Sequence, residues 1–475
     1  MIGREKEKGI LASCRDSGQA EFVVLYGRRR IGKTYLVREY FMNQFAFSYV
    51  GGHHLTTSEQ LANFAEALRE HSNALIAPRL ANWTEAFHSL KELLKALPAE
   101  QRKVVFFDEM PWIDTPGSDF TKALENFWNG WAATRKDILF IACGSATSWM
   151  ADKLMANQGG LHNRITQQIY LRPFTLRETE QMLESMGCHW DRFQVVQCYM
   201  AMGGVPYYLG KLSPRQSLSQ NIDRLYFEKN APMRSEFDEL YYALFSNADR
   251  YITVVRALAA SHQGLTRTQL AQTTGMTGGW LTRVLVNLER CDFIVSYAQY
   301  GNKSKNIIYR LADFYTLFYL RFVENDLTRD EQQWTHLLAS PRIASWQGRT
   351  FELICLTHLQ QIKQGLGISG MLTSASSWRG RAAETNDGGQ QATQVDLLIE
   401  RADRIINLCE IKFTTEPFEI TRDYEQRLRM RMAIFKSETK TRKSVVTTFI
   451  TTYGVIPGKH SAIVQSELTM DALFL

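Results

Sequence analysis

The sequence predicts a multidomain α/β protein, and three patterns along its 475 residues support that fold class. Up to about residue 175, short apolar runs alternate with helix-like stretches, as in a parallel α/β sheet. Between residues 250 and 311, three short helical segments precede a strand, a turn and a second strand. Near the end of the chain, strands at 395–400, 405–413 and 445–453 accompany a helix at 422–436.

Four apolar runs form the predicted N-terminal sheet, and each has the length of a buried strand. They are FVVLY at 22–26, VVFF at 104–107, ILFIAC at 138–143 and QIYL at 168–171, with helix-like stretches at 58–71 and 84–97. Beyond Pro173 the apolar period becomes helical through 176–187 and 191–202, up to a Gly-Gly-Val-Pro turn at 203–206. We therefore expect a parallel sheet followed by a helical lid.

A glycine-rich loop follows the first predicted strand, with the spacing Gly-x-x-x-x-Gly-Lys-Thr. Such glycines let backbone N–H groups turn towards triphosphate oxygens, while the lysine meets the β- and γ-phosphates and the hydroxyl meets Mg²⁺. The loop therefore predicts a P-loop, whose phosphate-binding residues are Gly27, Arg28, Arg29, Arg30, Ile31, Gly32, Lys33 and Thr34. The three arginines either attract the anion or are solvated, and we favour attraction.

Two acids end the buried run Lys103-Val-Val-Phe-Phe. Triphosphate hydrolysis requires a carboxylate that holds the metal and a group that orients water, normally at the end of a neighbouring strand. We expect Asp108 to contact the Mg²⁺ shell and Glu109 to polarise the attacking water. The alternative is a pair of acids that merely caps a strand.

Ser145 and Arg164 are further catalytic candidates. Ser145 follows the run ILFIAC, with Thr147 and Ser148 behind it, where a third strand can present a hydroxyl to the γ-phosphate. Arg164 precedes another apolar strand and could stabilise transition-state charge, as arginine fingers do. The alternatives are a small-residue turn at Ser145 and a surface salt bridge at Arg164.

The segment from 250 to 311 has the pattern of a winged helix, with helical segments at 250–262, 266–274 and 278–290 before a hairpin. Apolar positions in the third helical segment leave Thr282, Arg283 and Asn287 for the outer face. Such side chains can meet base edges and phosphates in a major groove of DNA.

Charge favours double-stranded DNA as the partner of this segment. Residues 251–311 contain seven basic and two acidic residues, a net charge of +5, within a chain whose total is +6. Two of the basic residues, Lys303 and Lys305, lie on the predicted wing tip, where they can contact phosphates. The alternative is a protein-interaction module.

Asp396 and Glu410 lie on consecutive predicted strands near the C-terminal end, and strand alternation points Glu410 and Lys412 to the same side. Two acids can hold one or two Mg²⁺ ions, and a neighbouring lysine can position or deprotonate water for attack on a phosphodiester. Glu352, on an apolar helix upstream, could complete the metal site. This spacing resembles the PD-(D/E)XK nuclease fold; the alternative is a retained fold whose acids pair with nearby Lys or Arg.

The combination of these features resembles the archaeal-type ATPases of the AAA+/STAND group over nearly the whole chain. The resemblance rests on the P-loop and on Gly3-Arg4-Glu5, Asp108-Glu109, Gly144-Ser145, Pro173-Phe174 and Gly203-Gly-Val-Pro206-Tyr-Tyr-Leu209. It implies ATP and Mg²⁺ as cofactors, Arg4 near the adenine, and a lid that packs over the nucleotide through Pro206. It also implies a nuclease-like domain after the winged helix.

These features divide the chain into five parts. We expect a P-loop ATPase core at 1–175, a helical lid at 176–240, a winged helix at 241–320, a linker at 321–345 and a PD-(D/E)XK nuclease-like domain at 346–475.

The cysteines, the N-terminal residues and the lengths of the apolar runs predict the cellular compartment. Seven scattered cysteines without a C-x-x-C pair indicate reduced core thiols. The N-terminus lacks the apolar core of a signal peptide, and no run approaches 18 apolar residues. We expect a soluble cytoplasmic protein without a membrane partner.

Our leading hypothesis is an ATP-hydrolysing switch that acts on DNA through the winged helix and the nuclease-like domain. The second is a signalling or scaffold protein in which nucleotide controls assembly into a homo-oligomer and the C-terminal domain is catalytically inactive. The third is a transcriptional regulator that reads one DNA sequence through Thr282, Arg283 and Asn287.

Overall fold

The computed structural model describes the chain apart from residues 146–148, 156–159, 162, 302–306, 381–382, 385–389 and 392. The chain divides into two compact units, one of residues 1–173 with 243–246 and the other of residues 174–242 with 247–475. All seven cysteines are buried and free. Within the described ranges, no helix has both the length and the apolar character needed to cross a membrane.

A parallel sheet forms the centre of the first unit. Its strands are β1 (Glu21–Gly27), β2 (Phe47–Val50), β3 (Lys103–Asp108), β4 (Ile138–Ser145) and β5 (Gln167–Leu171). They are ordered β2-β3-β4-β1-β5. The surrounding helices are α1 (Glu5–Asp16), α2 (Lys33–Tyr40), α3 (Thr57–Ser72), α4 (Trp83–Ala96), α5 (Met110–Ile113) and α6 (Phe120–Gly130).

Both faces of this sheet are buried, which explains its nearly continuous apolar strands. Alternate residues of β1 point to opposite faces, so Phe22 packs in an aromatic core with Phe140 and Trp128. On the other face, Val23 packs with Val37 of the helix that follows the P-loop. The two cores fix the end of β1, and therefore the start of the loop.

The second unit begins with helices. They are α7 (Leu176–Ser185), α8 (Arg192–Met202), α9 (Pro206–Leu209), α10 (Leu218–Ile222) and α11 (Pro232–Leu244). Thr175 caps α7 and Asp191 caps α8, each in a reciprocal capping box with the residue three positions on. Between α8 and α9, Gly204 lies so close to Phe174 that a Cβ there would overlap the Phe174 carbonyl.

Three helices and a small antiparallel sheet follow. They are α12 (Ala248–Ala260), β6 (Leu265–Thr266), α13 (Arg267–Thr274), α14 (Gly278–Arg290), β7 (Ile294–Tyr297) and β8 (Ile308–Leu311). The strands are ordered β6-β8-β7, and both neighbours run antiparallel to β8. Buried Leu281, Val284, Leu285 and Leu288 form the inner face of α14.

Residues 321–345, expected to form a linker, are packed rather than free. The segment follows α15 (Phe314–Phe318) and contains α16 (Gln333–Leu337). Trp334 is buried, with its ring centroid 5.0 Å from that of Phe318. The backbone N–H of Trp334 donates to Asp223 Oδ1 at 2.8 Å. Aromatic packing therefore holds residues 321–345 in place, although their polar sequence predicted a linker.

A second five-stranded sheet lies in the C-terminal part. The elements are α17 (Pro341–Thr357), α18 (Leu359–Gly365), β9 (Thr373–Arg379), β10 (Ala383–Glu384), β11 (Gln390–Gln391), β12 (Gln394–Arg401), β13 (Ile405–Lys412), α19 (Arg422–Thr439), β14 (Ser444–Thr451) and β15 (Ser466–Thr469). The sheet is ordered β15-β14-β13-β12-β9. β12 is antiparallel to both neighbours, whereas β13, β14 and β15 are parallel.

Candidate functional site

The P-loop lies at the carboxyl edge of the first sheet, where parallel α/β sheets bind ligands. Gly27 ends β1 and pairs in register with Ser145 at the end of β4 and with Leu171 at the end of β5. A Cβ on Gly27 would overlap the Leu171 carbonyl oxygen and lie 2.7 Å from Ile31 Cδ1. Gly32 has φ +84°, a left-handed conformation that favours glycine. The two glycines therefore shape the loop.

Thr34 and Asp108 meet directly at this edge. The Thr34 hydroxyl donates to Asp108 Oδ2 at 2.7 Å, joining the start of α2 to the end of β3. Lys33 is buried, and its ammonium donates to the carbonyl of Arg28 at 2.8 Å. The side chains predicted to meet phosphate and metal thus lie in one cluster.

Glu109 follows Asp108 in a left-handed conformation, with φ +46°. Such a conformation is uncommon for a residue other than glycine and is often found at functional sites. The backbone N–H of Glu109 donates to Asp108 Oδ1 at 2.9 Å, which orients the Asp108 carboxylate. Burial raises the pKa of Glu109, and Asp108 adds to that rise, while Lys33 and Arg29 oppose it. A raised pKa makes the carboxylate a stronger base.

Basic residues surround the loop in different settings. Arg28 is buried, whereas Arg29 and Arg30 are half-buried. Arg4 is also buried and donates to the carbonyls of Arg172 at 2.7 Å and Ile31 at 3.3 Å. Arg4 therefore contacts the P-loop backbone.

Ser145 and Arg164 lie at different edges of the sheet. Ser145 is buried beside Gly27, and its sensor role stays a prediction. Arg164 is exposed and precedes β5, whose first residue, Gln167, pairs with Val23. Four residues of strand, about 13 Å, separate that edge from the loop. The catalytic role of Arg164 stays a prediction. Thr147 and Ser148 lie outside the described residues.

Pro206 occupies the first turn of α9 in the second unit and is half-buried. The approach of Gly204 to Phe174 sets the preceding turn, because the N–H of Phe174 donates to the Gly204 carbonyl at 2.6 Å. Contact between Pro206 and nucleotide stays a prediction.

An aromatic and basic cluster covers the outer face of α14. Trp280 is 43% exposed, and the guanidinium carbons of Arg250 and Arg283 lie 4.1 and 5.2 Å from the centroid of its ring system. Arg267 donates to the Thr282 hydroxyl at 3.1 Å. Thr282 and Arg283 are exposed, as predicted.

Asn287 is different, and its predicted place on the outer face is wrong. Its side chain is buried and donates to the Tyr251 hydroxyl at 2.8 Å. A polar residue on the inner face of a helix needs such a partner, and α12 provides it. Lys303 and Lys305 of the predicted wing lie outside the described residues.

The C-terminal sheet brings together the four residues predicted for the nuclease-like site. Glu352 from α17, Asp396 from β12, and Glu410 and Lys412 from β13 line one cavity of about 290 Å³. Burial and the neighbouring Asp396 carboxylate raise the pKa of Glu352 to about 7, although Arg310 opposes the shift. The acids therefore crowd one another in a partly enclosed space.

Cations hold Glu410 within this cavity. Its carboxylate accepts from Tyr424 and Arg431 of α19, and Lys412 Nζ lies 3.0 Å from Glu410 Oε1. Burial alone would raise the pKa of Glu410, but Lys412 and Arg431 outweigh it and the pKa is lowered. In the described part of the chain, no three His, Cys, Asp or Glu side chains come together closely enough to hold a metal ion.

Sequence patterns did not predict several of these participants. Trp280 and Arg250 are far apart in sequence, and only an exposed tryptophan in a basic segment hinted at the first. Tyr424 and Arg431 lie in the first and third turns of the basic helix α19, which is a weak signal for contact with Glu410. The contact of Trp280 with Arg250, and those of Tyr424 and Arg431 with Glu410, each join separate elements.

Comparisons with known proteins agree with the first site. The family model of an ATPase domain predominantly from Archaea matches residues 1–212. The uncharacterised protein MJECL04 of Methanocaldococcus jannaschii is 25% identical over 336 residues, which cover 70% of this chain and 71% of that protein. The Walker-type ATPase PABY2304 of Pyrococcus abyssi shares the fold, with a TM-score of 0.50 at 18% identity, covering 68% of this chain and 96% of that one. The prediction of ATPase activity is thereby confirmed: this protein is an ATPase whose ATPase domain matches residues 1–212.

Proposed function

We propose that this ATPase is a nucleotide-driven switch that acts on double-stranded DNA. The observation that carries the nucleotide-driven part of the proposal is the hydrogen bond between Thr34 and Asp108, with Glu109 beside it, at the edge that presents the P-loop. The fold of the DNA-binding part is a winged helix, formed by α12 to α14 and the sheet β6-β8-β7.

The roles in hydrolysis follow from the chemistry at this edge. The P-loop amides and Lys33 bind the β- and γ-phosphates of ATP, and Ser145 donates to the γ-phosphate. Glu109 accepts a proton from water as its oxygen attacks the γ-phosphorus; the bond from that phosphorus to the bridging oxygen breaks, releasing ADP and phosphate. The raised pKa of Glu109 supports its role as the base.

The donor set at this site fits Mg²⁺. Thr34 and Asp108 supply oxygen atoms that already approach each other to 2.7 Å, and oxygen is the ligand that Mg²⁺ prefers. When bound, Mg²⁺ would neutralise phosphate charge.

Two substitutions test the site. We expect Lys33→Ala to lower ATP turnover at least 100-fold and to weaken ATP binding. Glu109→Gln should retain ATP binding while turnover falls about 10²- to 10⁴-fold, because a base contributes mainly to the chemical step. Lys122→Ala, at an exposed lysine paired with Asp119, is the matched control. Normal turnover by Lys33→Ala would reject the mechanism.

The cluster on α14 supports DNA as the partner. Exposed Trp280 and two neighbouring guanidinium groups offer stacking and charge on the helix that a winged helix places in the major groove. Arg283 and Arg250 would contact phosphates, while Thr282 is positioned to meet base edges. Asn287 is excluded from base contact because it is buried.

Salt-dependent binding to a 30-base-pair duplex tests this interface. Arg250→Ala and Arg283→Ala should each weaken binding several-fold and lower the slope of log affinity against log salt by about 1. Arg329→Ala removes an exposed arginine elsewhere in the same unit and serves as control. Unchanged affinity in both cluster variants would exclude α14 as the DNA-binding surface.

A second candidate activity is cleavage of DNA by a PD-(D/E)XK-type domain at the C-terminal end. The convergence of Glu352, Asp396, Glu410 and Lys412 on one cavity supports it. The oxygens of Asp396 and Glu352 suit Mg²⁺ in kind, whereas Glu410 is already engaged by two cations. When bound, Mg²⁺ would polarise the scissile phosphate.

Cleavage of plasmid DNA with and without Mg²⁺ distinguishes an active from an inactive domain. An active site requires cleavage that Asp396→Asn and Lys412→Ala abolish and that Glu416→Gln, at an exposed acid, leaves intact. Absence of cleavage in the wild type, together with nucleotide-dependent assembly, would favour the scaffold hypothesis. In that case the bonds from Arg431 and Lys412 to Glu410 are structural.

A further inference from the structure

A second cavity of the C-terminal unit is lined by arginines that neither proposed activity uses. It has a volume of about 300 Å³ and lies between the end of α12, strand β8, the turns after α15 and helix α17. Its lining includes five residues of basic type and one acid: Arg256, His262, Arg310, Arg321, Arg349 and Glu324. The positive charge is therefore concentrated in a small concave space.

The single acid is occupied by one of these arginines. Arg256 contacts Glu324 through two nitrogens, at 2.9 and 2.8 Å. Within the described residues, Arg321 and Arg349 form no ion pair with a carboxylate; Arg349 instead donates to the Ser345 carbonyl at 3.1 Å and to the Ser345 hydroxyl. Two arginines thus line the cavity without a neutralising acid.

The third arginine of the lining, Arg310, is buried and contacts a backbone carbonyl and a carboxylate. It donates to the Arg349 carbonyl at 3.2 Å, and its guanidinium lies 3.9 Å from a Glu352 oxygen. Glu352 lines the nuclease-like cavity and Arg349 lines this one, so helix α17 borders both cavities. The structure fixes Arg310 beside Arg349 through contacts with the helix backbone.

Burial and repulsion within the cluster lower the pKa of two of its members. Burial lowers the pKa of Arg321, and the positive charges of Arg342 and Arg349 lower it further. Burial also lowers the pKa of His262, with Arg349, Arg321 and Arg310 adding to the effect. Gathering like charges costs free energy, and a bound anion would relieve that cost.

Much of the remaining lining of the cavity is apolar. It includes Leu258, Leu311, Leu317, Leu320, Trp346 and Leu353. Guanidinium groups bind phosphate oxygens with two parallel hydrogen bonds, and apolar walls accept rings or aliphatic groups. A volume of about 300 Å³ lies at the lower end of the range for small-molecule sites and cannot admit a duplex.

We propose that this cavity binds a phosphorylated small molecule with an apolar or aromatic part, of the size of a mononucleotide. Arg321 and Arg349 hold the phosphate, Arg310 supports Arg349, and the leucines with Trp346 receive the remainder. The site is distinct from the P-loop and from the nuclease-like cavity. An experiment can therefore reject this binding site without rejecting the proposed function, and the reverse.

Calorimetric titration of the full chain tests the proposal, with Lys33→Ala as the background because this substitution weakens nucleotide binding at the P-loop. The probes are AMP, ADP and inorganic pyrophosphate. We expect one binding site for AMP or ADP, with affinity at least tenfold lower in Arg321→Ala and in Arg349→Ala. Arg427→Ala, in the nuclease-like cavity, should leave it unchanged. Pyrophosphate should bind more weakly than ADP, because it cannot use the apolar wall.

Thermal melting without ligand distinguishes a binding role from a structural one. Arg321→Ala should melt at the wild-type temperature or above, because it removes repulsion. A lower melting temperature in that variant would indicate a structural arginine and overturn the proposal.

The proposal is also overturned if none of the probes binds at millimolar concentration, if both arginine variants bind normally, or if pyrophosphate binds as tightly as ADP. Binding of duplex DNA that depends on Arg321, without nucleotide binding, would assign the arginines to the DNA surface instead.

Discussion

Glu352 illustrates how its surroundings change the chemistry of one side chain. On the sequence it is a lone acid within an apolar helix, but in the fold it shares a cavity with Asp396 and lies 3.9 Å from Arg310. Burial and the Asp396 charge outweigh the arginine, so the pKa rises to about 7. At neutral pH this carboxyl is therefore poised between its two protonation states.

A pH-dependent stability effect follows for Glu352→Gln. Since the pKa is higher in the folded state than in the unfolded one, the folded state binds more protons between about pH 4.5 and 7, and wild-type stability falls as pH rises through that window. We expect the free energy of unfolding of Glu352→Gln, compared with that of wild type, to be about 3 kcal/mol higher at pH 8 than at pH 4. Denaturant unfolding at both pH values measures this.

The matched control for that experiment is Glu416→Gln, at an exposed acid of the same unit. Its free energy of unfolding should differ little from wild type at either pH. A Glu352→Gln advantage that is independent of pH would mean that packing, rather than titration, is responsible.

At the scale of elements, the turn between α8 and α9 shows why a glycine is required at one position. The backbone of Gly204 contacts Phe174, whose N–H donates to the Gly204 carbonyl. Tyr199 of α8 also donates to the Phe174 carbonyl, at 2.8 Å. The segment leading into α7 is therefore fastened to the segment between α8 and α9.

Gly204→Ala should break this arrangement. A Cβ would overlap the Phe174 carbonyl oxygen and lie 2.8 Å from its nitrogen, so backbone atoms must move. We expect a loss of at least about 2 kcal/mol in the free energy of unfolding, as for other overpacked sites. Gly370→Ala, where nothing lies within 4 Å of the added atom, should change stability by less than about 0.5 kcal/mol. Equal effects of the two substitutions would contradict the contact.

Other elements could be predicted from the sequence in part. The runs at 22–26, 104–107, 138–143 and 168–171 became β1, β3, β4 and β5 because continuous apolar runs are typical of strands buried on both faces. β2 was missed, since Phe47-Ser-Tyr-Val is short and half polar. Its place beside β3 depends on pairing that no local pattern encodes.

For the whole molecule, the P-loop site and the Trp280 cluster on α14 belong to different compact units of one chain. A switch requires that ATP turnover and DNA binding influence each other, and such coupling is typically worth 1–3 kcal/mol. Measuring the rate of ATP turnover with and without DNA therefore tests whether the two sites work as one mechanism.

We expect duplex DNA to change ATP turnover about fivefold or more. Arg283→Ala should lose this effect while keeping the rate measured without DNA, because α14 carries no residue of the nucleotide site. Steady-state phosphate release with and without DNA, with Arg329→Ala as control, measures the coupling. A DNA effect that persists in Arg283→Ala would place the coupling surface elsewhere.

By itself, the sequence determined the P-loop, the acids after the next buried strand and the ATPase activity that the comparisons confirm, because these features depend on local spacing and on strands buried on both faces. Tertiary structure decided which distant side chains meet. It moved Asn287 into the core, joined Glu410 to Arg431 and gathered arginines around a cavity. Strand register and helix packing fix such contacts, and both arise from burial summed over many residues, which no single stretch of sequence contains.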